Sequence, residues 1–294
     1  MRRTLIPVMF ALTPIASLAT SSEYMIDYYS GNYFKASKAL QELSNHHDKQ
    51  AMFYLGKMYI NGSGVAQKQQ EGLKLIQESG RLGYELAQIY MAKYFLNVKN
   101  GVPQALNWYK LAAEQGNIEA QVFCGMAFLN GYGTLKSEEQ AKFWFDKAAQ
   151  ANNANAQYEL ALLDLKSADR QKTEEAVKWL EKSATNGHPK ARYTLGKLYY
   201  EGELIPQDKA QAVHWLELAA DSSNTAITKE DHCKAKLALS LMYLSANTSE
   251  ANVNKAVTWL TEAANSGDAE AQYRLGFLNE GNFGRPADLS AAKT

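Results

Sequence analysis

The apolar residues of this chain return in a register that itself repeats. Ala51, Ala87, Ala120, Ala156, Ala191, Ala235 and Ala271 are separated by 36, 33, 36, 35, 44 and 36 residues. Four residues after each stands an apolar side chain: Leu55, Met91, Cys124, Leu160, Leu195, Leu239 and Leu275. Eight residues after come Tyr59, Phe95, Phe128, Tyr199 and Tyr243, with Asp164 and Asn279 in the two remaining blocks. Offsets 0, 4 and 8 share one helical face, so every block predicts an amphipathic helix with a single buried stripe. At offset five the residue is small: Gly56, Ala92, Gly125, Ala161, Gly196, Ser240 or Gly276. Glycine within a helix costs about 1 kcal/mol against alanine, and close approach of a partner helix is the expected reason for it.

A second pattern runs in step with the first. The five tryptophans, Trp108, Trp144, Trp179, Trp215 and Trp259, are 36, 35, 36 and 44 residues apart. Small residues accompany them: Ala105, Ala112 and Ala113, then Ala141, Ala148 and Ala149, and again Ala256, Ala263 and Ala264. Glycine turns such as Gly62-Ser63-Gly64 and Gly131-Tyr132-Gly133 precede these segments, and Gly116, Asn152, Gly187 and Gly267 follow them. Glycine and asparagine tolerate the left-handed backbone that ends a helix. One unit is therefore helix, turn, helix and stop, and periods of this length are those of stacked repeats. The periodic tryptophans and aromatics are expected to fill the stacked core.

The full pattern, Ala-x3-Leu-Gly-x2-Tyr-x2-Gly-x-Gly followed by Ala-x2-Trp-x3-Ala-Ala-x2-Gly, resembles the Sel1-like repeat, a relative of the tetratricopeptide repeat. Residues 108–116, from Trp108 to Gly116, lie close to that consensus. The resemblance runs from about Gly31 to the end of the chain. It implies an all-α, right-handed α-solenoid of antiparallel helix pairs, about seven repeats, with first helices on the concave side and second helices on the convex side. Departures are local. The first repeat has Gly72 and Leu75 in place of Ala and Trp, the second lacks the glycine turn through Asn97–Gly101, and about eight extra residues lie between Ser223 and Ala235. Ala36 precedes Ala51 as Ala105 precedes Ala120, so Gly31–Leu43 is expected to be a second helix and Tyr24–Tyr29 the stub of its partner. The expected organisation is a signal peptide at 1–19, a partial capping repeat at 20–50, and the solenoid at 51–294. Its last repeat is incomplete at Thr294, as in a truncated longer chain.

Composition narrows the function. Lys plus Arg and Asp plus Glu both number 31, so the net charge is zero, without the basic excess of a nucleic-acid binder. Arg2 and Arg3, the apolar run from Leu5 to Leu12, and Ser17-Leu18-Ala19 follow the order of a secretory signal peptide. The apolar run is short of the ~20 residues that span a bilayer. The protein is thus expected in the periplasm or secreted, cleaved after Ala19, with no transmembrane segment afterwards. Cys124 and Cys233 are expected to be small buried apolar residues, not a disulfide.

Catalytic signatures are weak. The five histidines have no metal-ligand spacing, the Gly-x-Gly turns are explained by turn geometry, and Glu138-Glu139 and Glu174-Glu175 are read as acids in the first turns of second helices. No catalytic residue, cofactor or metal is expected. Offsets 3, 6 and 10 of the first helices lie opposite the buried stripe. They give Tyr54, Lys57 and Asn61; Tyr90, Lys93 and Asn97; and Phe123, Met126 and Asn130. Later repeats give Glu159, Leu162 and Lys166, then Thr194, Lys197 and Glu201. The first three sets form a ladder of aromatic, Lys and Asn suited to an extended acidic or amphipathic segment of a partner; the alternative is that each Asn merely ends its helix and the aromatics pack between repeats. The chain is expected to be a protein-interaction scaffold that binds another protein or peptide in its concave groove. The resemblance also admits an immunity protein that neutralises a secreted toxin, or a β-lactam-binding or hydrolysing member.

Overall fold

The computed structural model describes residues 21–167, 169–221, 228–246 and 249–279. The proposed signal peptide, the remainder of the last repeat at 280–294 and most of the insertion after Ser223 lie outside these residues. Two compact units divide between Ala120 and Gln121. The first contains α1 (Ser21–Tyr29), α2 (Tyr33–Asn45), α3 (Lys49–Asn61), α4 (Gln69–Arg81), α5 (Glu85–Leu96) and α6 (Val102–Glu114). Helix α7 (Ile118–Asn130) carries the division. The second unit continues with α8 (Glu138–Gln150), α9 (Ala154–Leu165), α10 (Arg170–Thr185), α11 (Pro189–Glu201) and α12 (Lys209–Ala220). It ends with α13 (Lys229–Ala246), α14 (Glu250–Asn265) and α15 (Ala269–Asn279). No strand occurs among the described residues. In each unit the helices stack in antiparallel pairs, α3 on α4 and α5 on α6, then α9 on α10, α11 on α12 and α13 on α14. The fold is an all-α repeat solenoid.

All seven anchor alanines are fully buried, as are Ala105, Ala141, Ala176, Ala212 and Ala256 of the second helices. The small residue at offset five permits the approach. A Cβ on Gly56 would lie 2.7 Å from the carbonyl oxygen of Gly72, and a Cβ on Gly72 would lie 2.5 Å from that of Gly56. Gly72 thus replaces alanine because α3 and α4 touch backbone to backbone. In the second unit a Cβ on Gly125 would meet the Phe145 ring at 2.5 Å, and one on Gly196 would meet Leu216 at 2.7 Å.

The helix ends are fixed by side chains in the same register. Three residues before the anchor alanine, Asp48, Asn117, Asn153, His188 and Asp268 accept the alanine N–H at 2.7, 2.8, 3.0, 3.1 and 2.8 Å. These are N-caps, each worth about 1 kcal/mol. One residue after the anchor, Gln88, Gln157, Arg192 and Gln272 donate to carbonyls of the preceding second helix at 3.0–3.2 Å. Between the two elements Gly83, Gly116, Asn152, Gly187 and Gly267 have positive φ, the left-handed stop expected there.

Several local expectations need correction. Trp108 and Trp144 are buried, but Trp179, Trp215 and Trp259 are only partly so. These three lean across the seam towards neighbouring clusters and keep an edge in water; the Lys182 ammonium sits 4.3 Å over Trp179. Glu174 and Glu175 lie beyond the first turn of α10, which starts at Arg170 after an Asp169 cap. The insertion after Ser223 enters α13 as an added turn, beginning six residues before Ala235 where other first helices begin two before their anchor. The expectation for the cysteines holds, since Cys124 and Cys233 are buried and not joined in a disulfide.

Two outcomes follow from this packing. Gly56→Leu should destabilise the protein by about 3 kcal/mol through overpacking, measured by urea denaturation. Gly116→Ala, whose Cβ would meet nothing within 4 Å, should cost only the ~1 kcal/mol of its left-handed backbone. The His188 cap requires an unprotonated Nδ1. Burial, helped by Lys190 and opposed by Asp231, lowers its pKa to about 4 from 6.5. The unfolded imidazole therefore takes up a proton first as pH falls, so the contribution is complete above about pH 6.5 and declines down to about pH 4. Discounted for partial solvent exposure, the loss amounts to about 1–2 kcal/mol. His188→Asn, which keeps the cap without the titration, should remove that part of the pH dependence in thermal melts.

Candidate binding groove

In the first unit the predicted ladder is partly covered. Tyr54 was expected on the exposed face, yet it is buried. Helix α1 brings Tyr28 and Tyr29 against it, with ring centroids 4.9 and 6.2 Å away and a 3.0 Å hydroxyl contact to Tyr29. Burial, together with that hydrogen bond, raises its phenol pKa. Lys57 lies 5.7 Å over the Phe53 ring, whose edge also meets half-buried Tyr90 at 6.2 Å. Lys93 pairs with Glu119 at 2.9 Å. Asn61 is the exposed last residue of α3, and Asn97 follows α5 while donating to the Lys93 carbonyl at 2.9 Å. The ladder here is a set of helix ends and satisfied lysines around an aromatic cluster.

In the second unit Asn130 closes α7 by donating to the Met126 carbonyl at 3.0 Å, and Lys197 pairs with Glu201 at 3.4 Å. Phe123 is half-buried. Met126 packs against the α8–α9 core and also lines a cavity of about 530 Å³. This cavity lies between α7, α9, α11 and the start of α13, with Val122, Met126, Tyr158 and Pro189 as its apolar lining. Asn155, Glu159, His188, Lys190 and Asp231 supply its polar lining. A second cavity of about 380 Å³ shares Tyr158, Lys190, Thr228 and Asp231 and extends the groove over Tyr193, Thr194 and Lys234.

The groove is held in shape by its own contacts. Tyr158 stacks on the His188 ring at 4.6 Å, and His188 is fixed by capping α11. Thr228 donates to Asp231 Oδ2 at 2.8 Å and accepts the Asp231 N–H at 3.1 Å, which starts the added turn of α13. Burial raises the Tyr158 phenol and the Glu159 carboxyl above their ordinary values, with Lys190 and Lys166 acting against the rise at Glu159. A polar cleft of about 290 Å³ elsewhere in this unit contains Asp164. There the expected aromatic is replaced by a buried acid paired with Lys142 of α8.

Of the groove residues, Met126, Glu159 and Thr194 stand at the predicted offsets, whereas Tyr158, His188, Lys190 and Asp231 do not. The signal for His188 was a histidine at the position that four other repeats fill with Asp or Asn. Ser290 and Lys293 have the Ser-x-x-Lys spacing of some acyl-transfer enzymes; both lie outside the described residues. No group of three or more metal-ligating side chains occurs among the described residues, nor does any helix long and apolar enough to cross a membrane.

The model described as Sel1 repeat matches residues 49–84, 85–117, 233–268 and 269–293, and that of plant tetratrico peptide repeats matches 133–241. A chitin synthase regulatory factor 3 of Schizosaccharomyces pombe is 27% identical over 83% of this chain and 27% of its own length. The alginate biosynthesis protein AlgK of Azotobacter vinelandii is 35% identical over 35% of this chain and 21% of its own. The chain thus spans about a quarter of these relatives. Among solved structures, a Sel1 repeat protein from Oxalobacter formigenes superposes with a TM-score of 0.66 at 24% identity, over 92% of this chain and 81% of that one. A protective antigen of uropathogenic Escherichia coli with an SLR fold gives 0.60 at 22%, over 92% and 66%. Each of the four Sel1 segments begins two residues before an anchor alanine, and the chain is a Sel1-like, tetratricopeptide-like repeat protein.

Proposed function

We propose that this protein is a non-catalytic interaction scaffold, exported to the periplasm or secreted, that holds a segment of a partner protein in the groove of its second unit. Repeats of this family serve as protein-interaction scaffolds. The observation that carries the assignment is the 530 Å³ cavity between successive first helices, with an apolar lining and a polar rim. Apolar pockets with a few fixed polar groups are where side chains of a partner anchor. Half-buried Lys57, exposed Asn61 and Lys93 of the first unit and exposed Lys197 of the second are proposed as further contacts. Export rests on the order of charged, apolar and small residues up to Ala19.

Asn155 and Lys190 are exposed on the cavity rim, so Asn155→Trp with Lys190→Trp should obstruct it without touching the core. Affinity capture from the native cell envelope should recover specific partners with the wild type and lose them at least tenfold with this double variant, at unchanged melting temperature. Equal recovery with the rim variant, and with a Lys57→Ala, Lys93→Ala variant, would instead make the protein a spacer with no dedicated ligand. N-terminal sequencing of the mature protein should begin at Thr20.

A further inference from the structure

We propose that Glu159 receives a cationic side chain, lysine or arginine, of the segment that occupies the groove; this rests on the groove being the partner site. The other acids around the groove are engaged. Asp231 is held by Thr228, Glu230 by Lys234 at 2.6 Å, and Glu201 by Lys197. Among the described residues Glu159 has no hydrogen bond and no ion pair, although it lines the cavity and is partly buried. Lys190 and Lys166 act on it from beyond ion-pairing distance.

A carboxylate half-removed from water without a partner is destabilised, as the raised pKa of Glu159 records. Nothing in the fold requires it there: the equivalent position is Tyr54 in the first repeat and Thr194 in the next. The charged groups lining the cavity are Glu159, Asp231 and Lys190, an excess of one negative charge, since His188 is neutral above about pH 4. An incoming ammonium or guanidinium would balance it. Val122, Met126 and Tyr158 beside it suit the aliphatic stem of Lys or Arg, or an apolar neighbour in the same segment. The groove therefore selects a basic, apolar-flanked stretch, the reverse of the acidic segment that the lysine ladder alone suggested.

Random twelve-residue peptides displayed on phage and panned against the full chain test this directly. Selected peptides should carry Lys or Arg next to apolar residues, and Glu159→Gln should bind them about tenfold more weakly by fluorescence anisotropy. Replacing the basic residue of a selected peptide by Gln should cost the wild type a similar factor and cost Glu159→Gln almost nothing. If that replacement costs both proteins equally, or if no basic enrichment occurs, the role of Glu159 is overturned while the groove stands. If the Asn155→Trp, Lys190→Trp variant binds the peptides unchanged, or if panning yields no binder, the groove itself is overturned as the partner site.

Discussion

Two helices can pack as closely as α3 and α4 do only where both give up their side chains, and that contact organises the rest of the chain. Gly56 and Gly72 face each other's carbonyls at distances that exclude a Cβ. Around each such contact the backbone carries further duties. The anchor alanine is buried, in five repeats its N–H is capped from three residues before, and in four the next side chain closes the end of the preceding helix. Cap, anchor and clasp fall within five consecutive residues, so packing and helix boundaries are set together. A repeat built this way depends on its neighbours, because the clasp reaches into the element before it.

This concentration of structural duty leaves other positions open. The cap requires only an acceptor near the alanine N–H, and Asp, Asn and His all provide one. His188 therefore meets the structural requirement with one ring nitrogen while its ring face stacks on Tyr158 in the wall of a cavity. Lys190 is exposed in the first turn of the same helix, and Asp231 occurs only because α13 is a turn longer than its counterparts. The groove is assembled from residues the repeat does not need.

That division explains what could be read from the sequence. Features that recur in phase were legible: the anchor alanines, the small residue at offset five, the glycine stops and the two-helix unit. Features belonging to one repeat were not. Tyr54 looked exposed because the register of α3 places it opposite the buried stripe, but α1, which precedes the first anchor, covers it with Tyr28 and Tyr29. Trp179, Trp215 and Trp259 share the register of buried Trp108, yet each sits at a seam whose closure depends on neighbouring side chains. The positions of Tyr158 and His188 keep their identity in some repeats and not in others, and Asp231 lies in the turn added to α13, so comparison across repeats yields no consistent signal for them.

The acids of the second unit show how structural and functional charges can be told apart. Asp164 stands where other repeats place an aromatic, and its burial is matched by the Lys142 ammonium from the neighbouring helix. Buried Lys236 is likewise matched by Glu262 at 2.9 Å. In both, the charge removed from water meets its opposite on a neighbouring helix, and truncating the more exposed partner would leave the buried charge unmatched. Glu159 has no such counterpart among the described residues, although it too is partly withdrawn from water. The fold bears a desolvation penalty there that it relieves elsewhere. A polar group left unmatched inside an open cavity is more simply understood as half of a pair, whose other half arrives with the partner.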